Sequence, residues 1–212
     1  MSVNQTRSFD LEYSVRELKK NDPDLIKLFD SIEVNTLDPG NNYFKALTRS
    51  IIYQQLSGRA AKTIFSRFKS IYSNNQFPIP KQVLETDIET FRESGLSYNK
   101  SFYIKNIAQA FLDEPDVYDN LSKMNDKEII DRLTRVKGIG LWTAQMFLMF
   151  TLNRPDVFPV TDLAIQKGYK SYFKLNDLPK PNDMTKRSEI WIPYRTTVSL
   201  YLWGVLEGPF EW

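Results

Sequence analysis

The stretch RVKGIGLWTAQ, residues 135–145, decides how this chain is read. Two glycines flank Ile139 in a basic setting, and Trp142 opens the apolar run that follows. With its neighbours, IIDRLTRVKGIGLWTAQMFLMF reads as helix, short hairpin, helix, the hairpin falling at about 131–145. Leu133 and Val136 close the first helix. Gly138 and Gly140 permit a tight turn or a close backbone approach. Thr143 and Ala144 are small, so the two helices can pack closely. Such a turn leaves the first N–H groups of the second helix unpaired and aimed outward, an arrangement that binds phosphate. The same residues also fit a plain αα-hairpin with no ligand.

Outward from the hairpin the pattern is helical nearly throughout. Phe44, Leu47, Ile51 and Ile52 recur at helical spacing, as do Ala61, Ile64, Phe65, Phe68 and Ile71. Pro23 directly after Asp22 is a first-turn proline behind a capping side chain. Thr86 with Glu89, and Asn125 with Glu128, have the spacing of capping boxes. DVFPV (156–160) is the best extended segment, but Pro159 argues against a central strand. NNQFPIPK (74–81) and KLNDLPKPNDM (174–184) read as loops. The expectation is an all-α protein of about ten helices.

Composition narrows the chemistry. A length of 212 residues defaults to one domain, 1–212, with two small lobes as the variant. Hydrophobic content of 42% supports a sizeable core. No apolar run reaches the roughly 18 residues of a membrane span, and the N-terminus lacks the apolar centre of a secretory signal. With no cysteine, disulfides, thiolate metal sites and Fe–S clusters are excluded, which fits an intracellular protein. With no histidine, every Ser-His-Asp and His-metal arrangement goes too. Acid–base work is left to carboxylates, Lys, Tyr or water. The net charge is only +2, so a nucleic-acid partner has to be argued from local patches. Arg59, Lys62 and Arg67 form one such group, Lys100 and Lys105 a second, and Lys137, Lys167 and Lys170 a third. Each is also an ordinary solvated side chain when taken singly.

Beyond the hairpin, NRPDVFPVTDLAIQKGY places Asp162 where a new helix should begin. A carboxylate there is favoured by the helix-end dipole, and a simple cap is the plain alternative. Asp162 stands 24 positions after Gly138. Together these features resemble the helix-hairpin-helix (HhH-GPD) DNA glycosylases, and within them the 3-methyladenine DNA glycosylase II group of yeast and bacterial alkylbase glycosylases. The matching residues are Leu133, Val136, Gly138, Ile139, Gly140, Trp142, Thr143 and Ala144, then Asp156, Phe158, Pro159 and Asp162. Three more segments agree in order: SIIYQQLSGRAAKTIFSRF (50–68), GLSYNKSFYIKNIA (95–108) and WIPYRTTVSLYLW (191–203). The likeness runs over roughly residues 20 to 207.

The resemblance implies a two-lobed helix-hairpin-helix fold with duplex DNA held between the lobes. It implies phosphate contacts from Ser97, Lys100, Lys137, Gly138, Gly140 and Thr143. The backbone carbonyls of Thr134, Val136 and Ile139 would hold a structural Na+ or K+, with no cofactor for catalysis. Gln55, Leu56, Ser57 and Gly58 would form the loop that fills the gap left by a flipped nucleotide. Trp142, Trp191 and Tyr194 would line the base pocket, where a cationic alkylated purine gains cation–π attraction. Core packing is the competing role for both tryptophans. Asp162 would be the catalytic carboxylate of a monofunctional glycosylase in base excision repair. Bifunctional relatives carry a lysine two residues after the second hairpin glycine; here that position is Trp142, so no lyase activity of that type is expected. The expected protein is a nuclear monomer that binds DNA containing alkylated bases or abasic sites and engages no membrane.

Two departures keep a second function open. Ser57 stands where some relatives present a larger wedge, and Tyr194 where the family often has a second tryptophan. Both fit a glycosylase-like protein that binds, sculpts and protects abasic sites with little or no excision. A module holding undamaged DNA is the third reading, and it leaves Asp162 and the aromatics unexplained.

Overall fold

Asp10, Asp22, Asn42, Ser57, Asp87, Ser97, Asn125 and Asp162 each accept a backbone N–H from the first turn of the helix that follows. Short polar side chains thus set the boundaries of this chain. The computed structural model describes residues 9–37, 39–72 and 76–207. Expectations for the N-terminal segment before residue 9, and for the first two residues of the 74–81 loop, lie outside them. Among the described residues there are thirteen α-helices and no strand, so the chain is all-α. The excess over about ten comes from pieces of five or six residues, such as Pro80–Glu85, Ile88–Glu93 and Pro115–Asp119, too short to display a helical period.

The cap expectations divide. Asn125 and Glu128 form the capping box, each side chain accepting the other's backbone N–H at 2.9 Å. Thr86 does not cap: Asp87 takes that role, while the Thr86 hydroxyl donates back to the Gln82 carbonyl. Pro181 starts a helix, which ends the 174–184 loop early.

The described chain forms two compact units: Gly40–Phe147, and a unit combining Met1–Pro39 with Leu148–Trp212. The central unit contains α3 (Tyr43–Tyr53), α4 (Gly58–Ser70), α5 (Pro80–Glu85), α6 (Ile88–Glu93), α7 (Tyr98–Asp113), α8 (Pro115–Asp119), α9 (Asp126–Leu133) and most of α10 (Leu141–Phe150). Its core is a run of rings: Phe44 meets Phe77 and Phe111, Phe111 meets Tyr118 at 4.5 Å, and Phe68 meets Phe91 at 5.6 Å. Burying such rings is the main stabilising term here.

The terminal unit contains α1 (Leu11–Asn21), α2 (Ile26–Ser31), α11 (Leu163–Tyr172), α12 (Pro181–Arg187) and α13 (Arg195–Glu207). Its centre is Trp191, fully buried between Phe158 and Tyr169. α11 and α13 approach so closely at Gly168 that an added Cβ would stand 2.0 Å from the Leu202 carbonyl oxygen. The expected extended segment 156–160 is not a strand, and neither are the two residues before it. The polar backbone of 154–157 is satisfied by α13 hydroxyls instead: Thr196 donates to the Arg154 carbonyl and accepts from the Val157 N–H, and Ser199 donates to the Val157 carbonyl. Arg195 grips Asp156 through two parallel bonds of 2.6 and 2.8 Å.

Candidate functional site

In the central unit, α9 ends at Leu133 with Thr134 as its C-cap and α10 begins at Leu141, with a tight turn between them. The Ile139 N–H donates to the Val136 carbonyl at 3.0 Å and closes that turn. Gly138 has φ +111°, and a Cβ there would lie 2.3 Å from Cγ of Tyr103. Both conformation and space demand glycine. Gly140 differs: it has open space around it and no left-handed φ. Lys137, Gly140 and Leu141 are exposed at the mouth of α10. The first-turn N–H groups of a helix favour an anion at such a mouth.

Side chains from other helices brace the turn. Gln54 Nε2 donates to the Gly138 carbonyl at 3.3 Å and to Thr143 Oγ1 at 2.9 Å. Asn106 donates to the Lys137 carbonyl at 3.1 Å. Thr143 is therefore turned inward and is 1% exposed as a whole residue, so it is not the phosphate contact expected. Gln54 escaped the sequence reading because nothing local marks a residue that reaches across 84 positions.

Lys100 is a second correction. Its ammonium donates to the carbonyls of Ile52 and Gln54 at 2.9 and 2.7 Å. The last carbonyls of α3 have no partner within the helix, and a cation completes them. Burial pushes the Lys100 pKa down. Lys100 thus shapes the loop after α3 and does not reach out to a phosphate. Ser97 caps α7 through the Lys100 N–H and is itself exposed.

The loop from α3 to α4 carries the expected wedge residues. Gln55 has φ +56° and Leu56 is 39% exposed, an apolar side chain held out to solvent. Ser57 accepts the Ala60 N–H and caps α4, so it ends the loop and is not its tip. Gly58 is the first residue of α4.

The hairpin carbonyls of Thr134, Val136 and Ile139 are hard oxygen donors, the type an alkali cation prefers. Among the described residues no group of three His, Cys, Asp or Glu side chains could hold a metal. The donor set fits Na+ or K+ and not a thiolate or imidazole metal.

In the terminal unit, Asp162 is the N-cap of α11. Its Oδ1 accepts the Ile165 N–H at 2.8 Å and the Trp203 indole N–H at 3.0 Å. Its own N–H donates to the Pro159 carbonyl. Gln166 donates to the Val160 carbonyl at 2.8 Å and steadies the approach to the helix. The cap is real, and the indole bond is additional to it. Trp203 comes from α13 and packs on Phe150 at 5.6 Å. Its role went unread because 41 residues separate it from Asp162.

Trp191 corrects the base-pocket expectation. It is 0% exposed, its indole donates to Asp22 Oδ2 at 2.7 Å, and Phe158, Tyr169 and the Arg187 guanidinium surround its ring. No face is left for a base. Tyr194 is 9% exposed and packs edge-on to Tyr13, which also makes it a core residue. Trp142 is half-buried on the first turn of α10.

Residues 48–193 match the HhH-GPD superfamily of base excision DNA repair proteins, and the chain belongs to that family. It is 38% identical to DNA-3-methyladenine glycosylase 1 of Schizosaccharomyces pombe, over 91% of this chain and 85% of that protein. An alkylbase DNA glycosidase-like protein of the same yeast is 34% identical, covering 80% of this chain and 81% of its own. The solved S. pombe 3-methyladenine DNA glycosylase in complex with abasic DNA superimposes with a TM-score of 0.80 at 36% identity, over 92% of this chain and 95% of that one. No helix among the described residues is long and apolar enough to cross a membrane.

Proposed function

We propose that this protein is a monofunctional DNA glycosylase that hydrolyses the N-glycosidic bond of alkylated purines in duplex DNA. The observation that carries the reading is Asp162, whose Oδ1 is held by a helix N–H and by the Trp203 indole. Two donors on one oxygen fix the carboxylate's direction, and orientation is where such catalysis gains its rate. The S. pombe relative, matched over 85% of its length, is named a DNA-3-methyladenine glycosylase.

In this scheme Asp162 faces the sugar and stabilises its developing positive charge. The bond from C1′ to the base nitrogen breaks, and its electron pair leaves with the base. A water oxygen bonds to C1′, and its proton passes to the carboxylate. An alkylated base such as 3-methyladenine is cationic and leaves neutral, so no protein acid is needed. A chain without histidine is adequate for that chemistry. Trp142, and not a lysine, follows the hairpin glycines, so no Schiff base forms there and the strand stays intact. Trp142 is the aromatic left to stack on the flipped base.

The hairpin mouth, with Lys137, Gly138 and Gly140, holds the DNA backbone beside the lesion, with Ser97 at the start of α7 as a further contact. The carbonyls of Thr134, Val136 and Ile139 would hold Na+ or K+, which supplies positive charge toward a phosphate. Gln55 and Leu56 enter the space of the flipped nucleotide, Leu56 being the exposed apolar side chain of that loop. The two units act as one glycosylase domain, 1–212, in a monomer working without a catalytic cofactor on nuclear DNA.

The test uses two duplexes, one with 7-methylguanine and one with a stable abasic analogue. The wild type should release the base. Asp162→Asn should slow release by about a hundredfold or more while keeping its affinity for the abasic duplex. Tight abasic binding with no release by the wild type would overturn the enzyme reading and leave an abasic-site binder.

A further inference from the structure

α4 carries a basic ridge that neither the hairpin nor the aspartate accounts for. Arg59, Lys62, Thr63, Ser66 and Arg67 are all exposed and line a shallow depression of about 380 Å³. Their spacing puts them on one helical face. Ala61 and Phe68, on the other face, are fully buried. No aromatic side chain lines the depression, so it is not a base pocket.

Helix stability does not explain Arg59. Arg59 lies in the first turn of α4, at the positive end of the helix dipole, where a cation is disfavoured. No acidic residue occupies that turn. Among the described residues neither Arg59 nor Arg67 pairs with a carboxylate. Two guanidiniums with no internal partner call for an anion from outside. Only Arg67, in the last turn, also complements the dipole.

We propose that the α4 ridge is a second backbone-binding surface, which takes phosphates of the duplex flanking the lesion. The inference rests on the glycosylase reading, because Ser57, where the loop assigned to the flipped-nucleotide gap ends, caps α4. DNA held by that loop passes the first turn of α4. Arg59 and Arg67 are eight residues apart, about 12 Å along the axis. That spans about three to four base-pair steps of one strand at roughly 3.4 Å per step. Guanidinium is suited to phosphate by its planar fork.

The experiment compares wild type, Arg59→Gln/Arg67→Gln and Arg59→Lys/Arg67→Lys on an undamaged and an abasic duplex, across a salt series. Glutamine keeps helix propensity and removes charge. The glutamine variant should lower the slope of log K against log salt by about two. Between 50 and 200 mM salt the wild type should then lose about tenfold more affinity than the variant. Both duplexes should be affected by the same factor, and the lysine variant should keep the wild-type slope. An unchanged slope in the glutamine variant, with the wild type binding normally, overturns the ridge and leaves the glycosylase reading standing. A wild type that binds neither duplex overturns both.

Discussion

Asp162 and Trp203 stand 41 positions apart and meet through one hydrogen bond of 3.0 Å. Asp162 already has the Ile165 N–H of a helix cap, so the indole is not needed for α11 to form. Its effect is on direction: it holds Oδ1 from a second side. Trp203→Phe keeps the ring against Phe150 and deletes only the donor. Single-turnover base release should fall about tenfold or more, since small misplacements at the reacting centre cost up to about a hundredfold. Affinity for the abasic duplex should change less than twofold. Equal losses in rate and affinity would show that Trp203 merely supports the fold. Two of the expected phosphate contacts fail for the opposite reason. Lys100 and Thr143 looked like surface contacts by position, and the fold turned both inward, Lys100 to carbonyls of Ile52 and Gln54 and Thr143 to Gln54.

The hairpin is the element whose sequence said most. Its glycines, its small Thr143 and Ala144, and the capping box at Asn125 all act within a few residues, so local chemistry settles them. Sequence alone treats Gly138 and Gly140 alike; the structure separates them. Gly138→Ala meets both a left-handed φ and the Tyr103 ring, so it should cost roughly 2 kcal/mol or more. The melting temperature should drop by about 5 °C or more. Gly140→Ala has open space and an ordinary φ, and should melt within about 1–2 °C of wild type. Matching melts for the two variants would refute the distinction. The short α5, α6 and α8 lay at the other extreme. They are stabilised by packing on longer helices, and a five- or six-residue piece holds too few apolar positions to be recognised.

At the scale of the molecule, the terminal unit draws together the early helices α1 and α2 and the late helices α11 to α13. Asp22, 3% exposed, accepts the Trp191 indole and pairs with Arg187 at 2.6 Å. It is the buried link between the α1–α2 region and the segment before α13. Asp22→Ala leaves the indole donor and the guanidinium without their acceptor, and should destabilise the protein by about 3 kcal/mol. Thermal melts should show a loss of about 6–12 °C. A loss under about 2 °C would mean that water or Asp24 takes over the acceptor role.

By itself the sequence determined the all-α class, the hairpin, the capping box at Asn125 and the aspartate that opens α11, because each is written in neighbours only a few positions apart. Composition determined what chemistry is absent, since a chain without cysteine or histidine cannot hide those groups anywhere. The tertiary structure alone decided which aromatics are core and which face outward, which lysine is spent on carbonyls, and which side chain holds Asp162. These depend on contacts across 40 to 170 positions, such as Asp22 with Trp191 at a separation of 169, and no periodicity along the chain encodes them. Burial and partner choice arise when distant segments compete for the same space and the same donors, and that competition is settled only in the folded molecule.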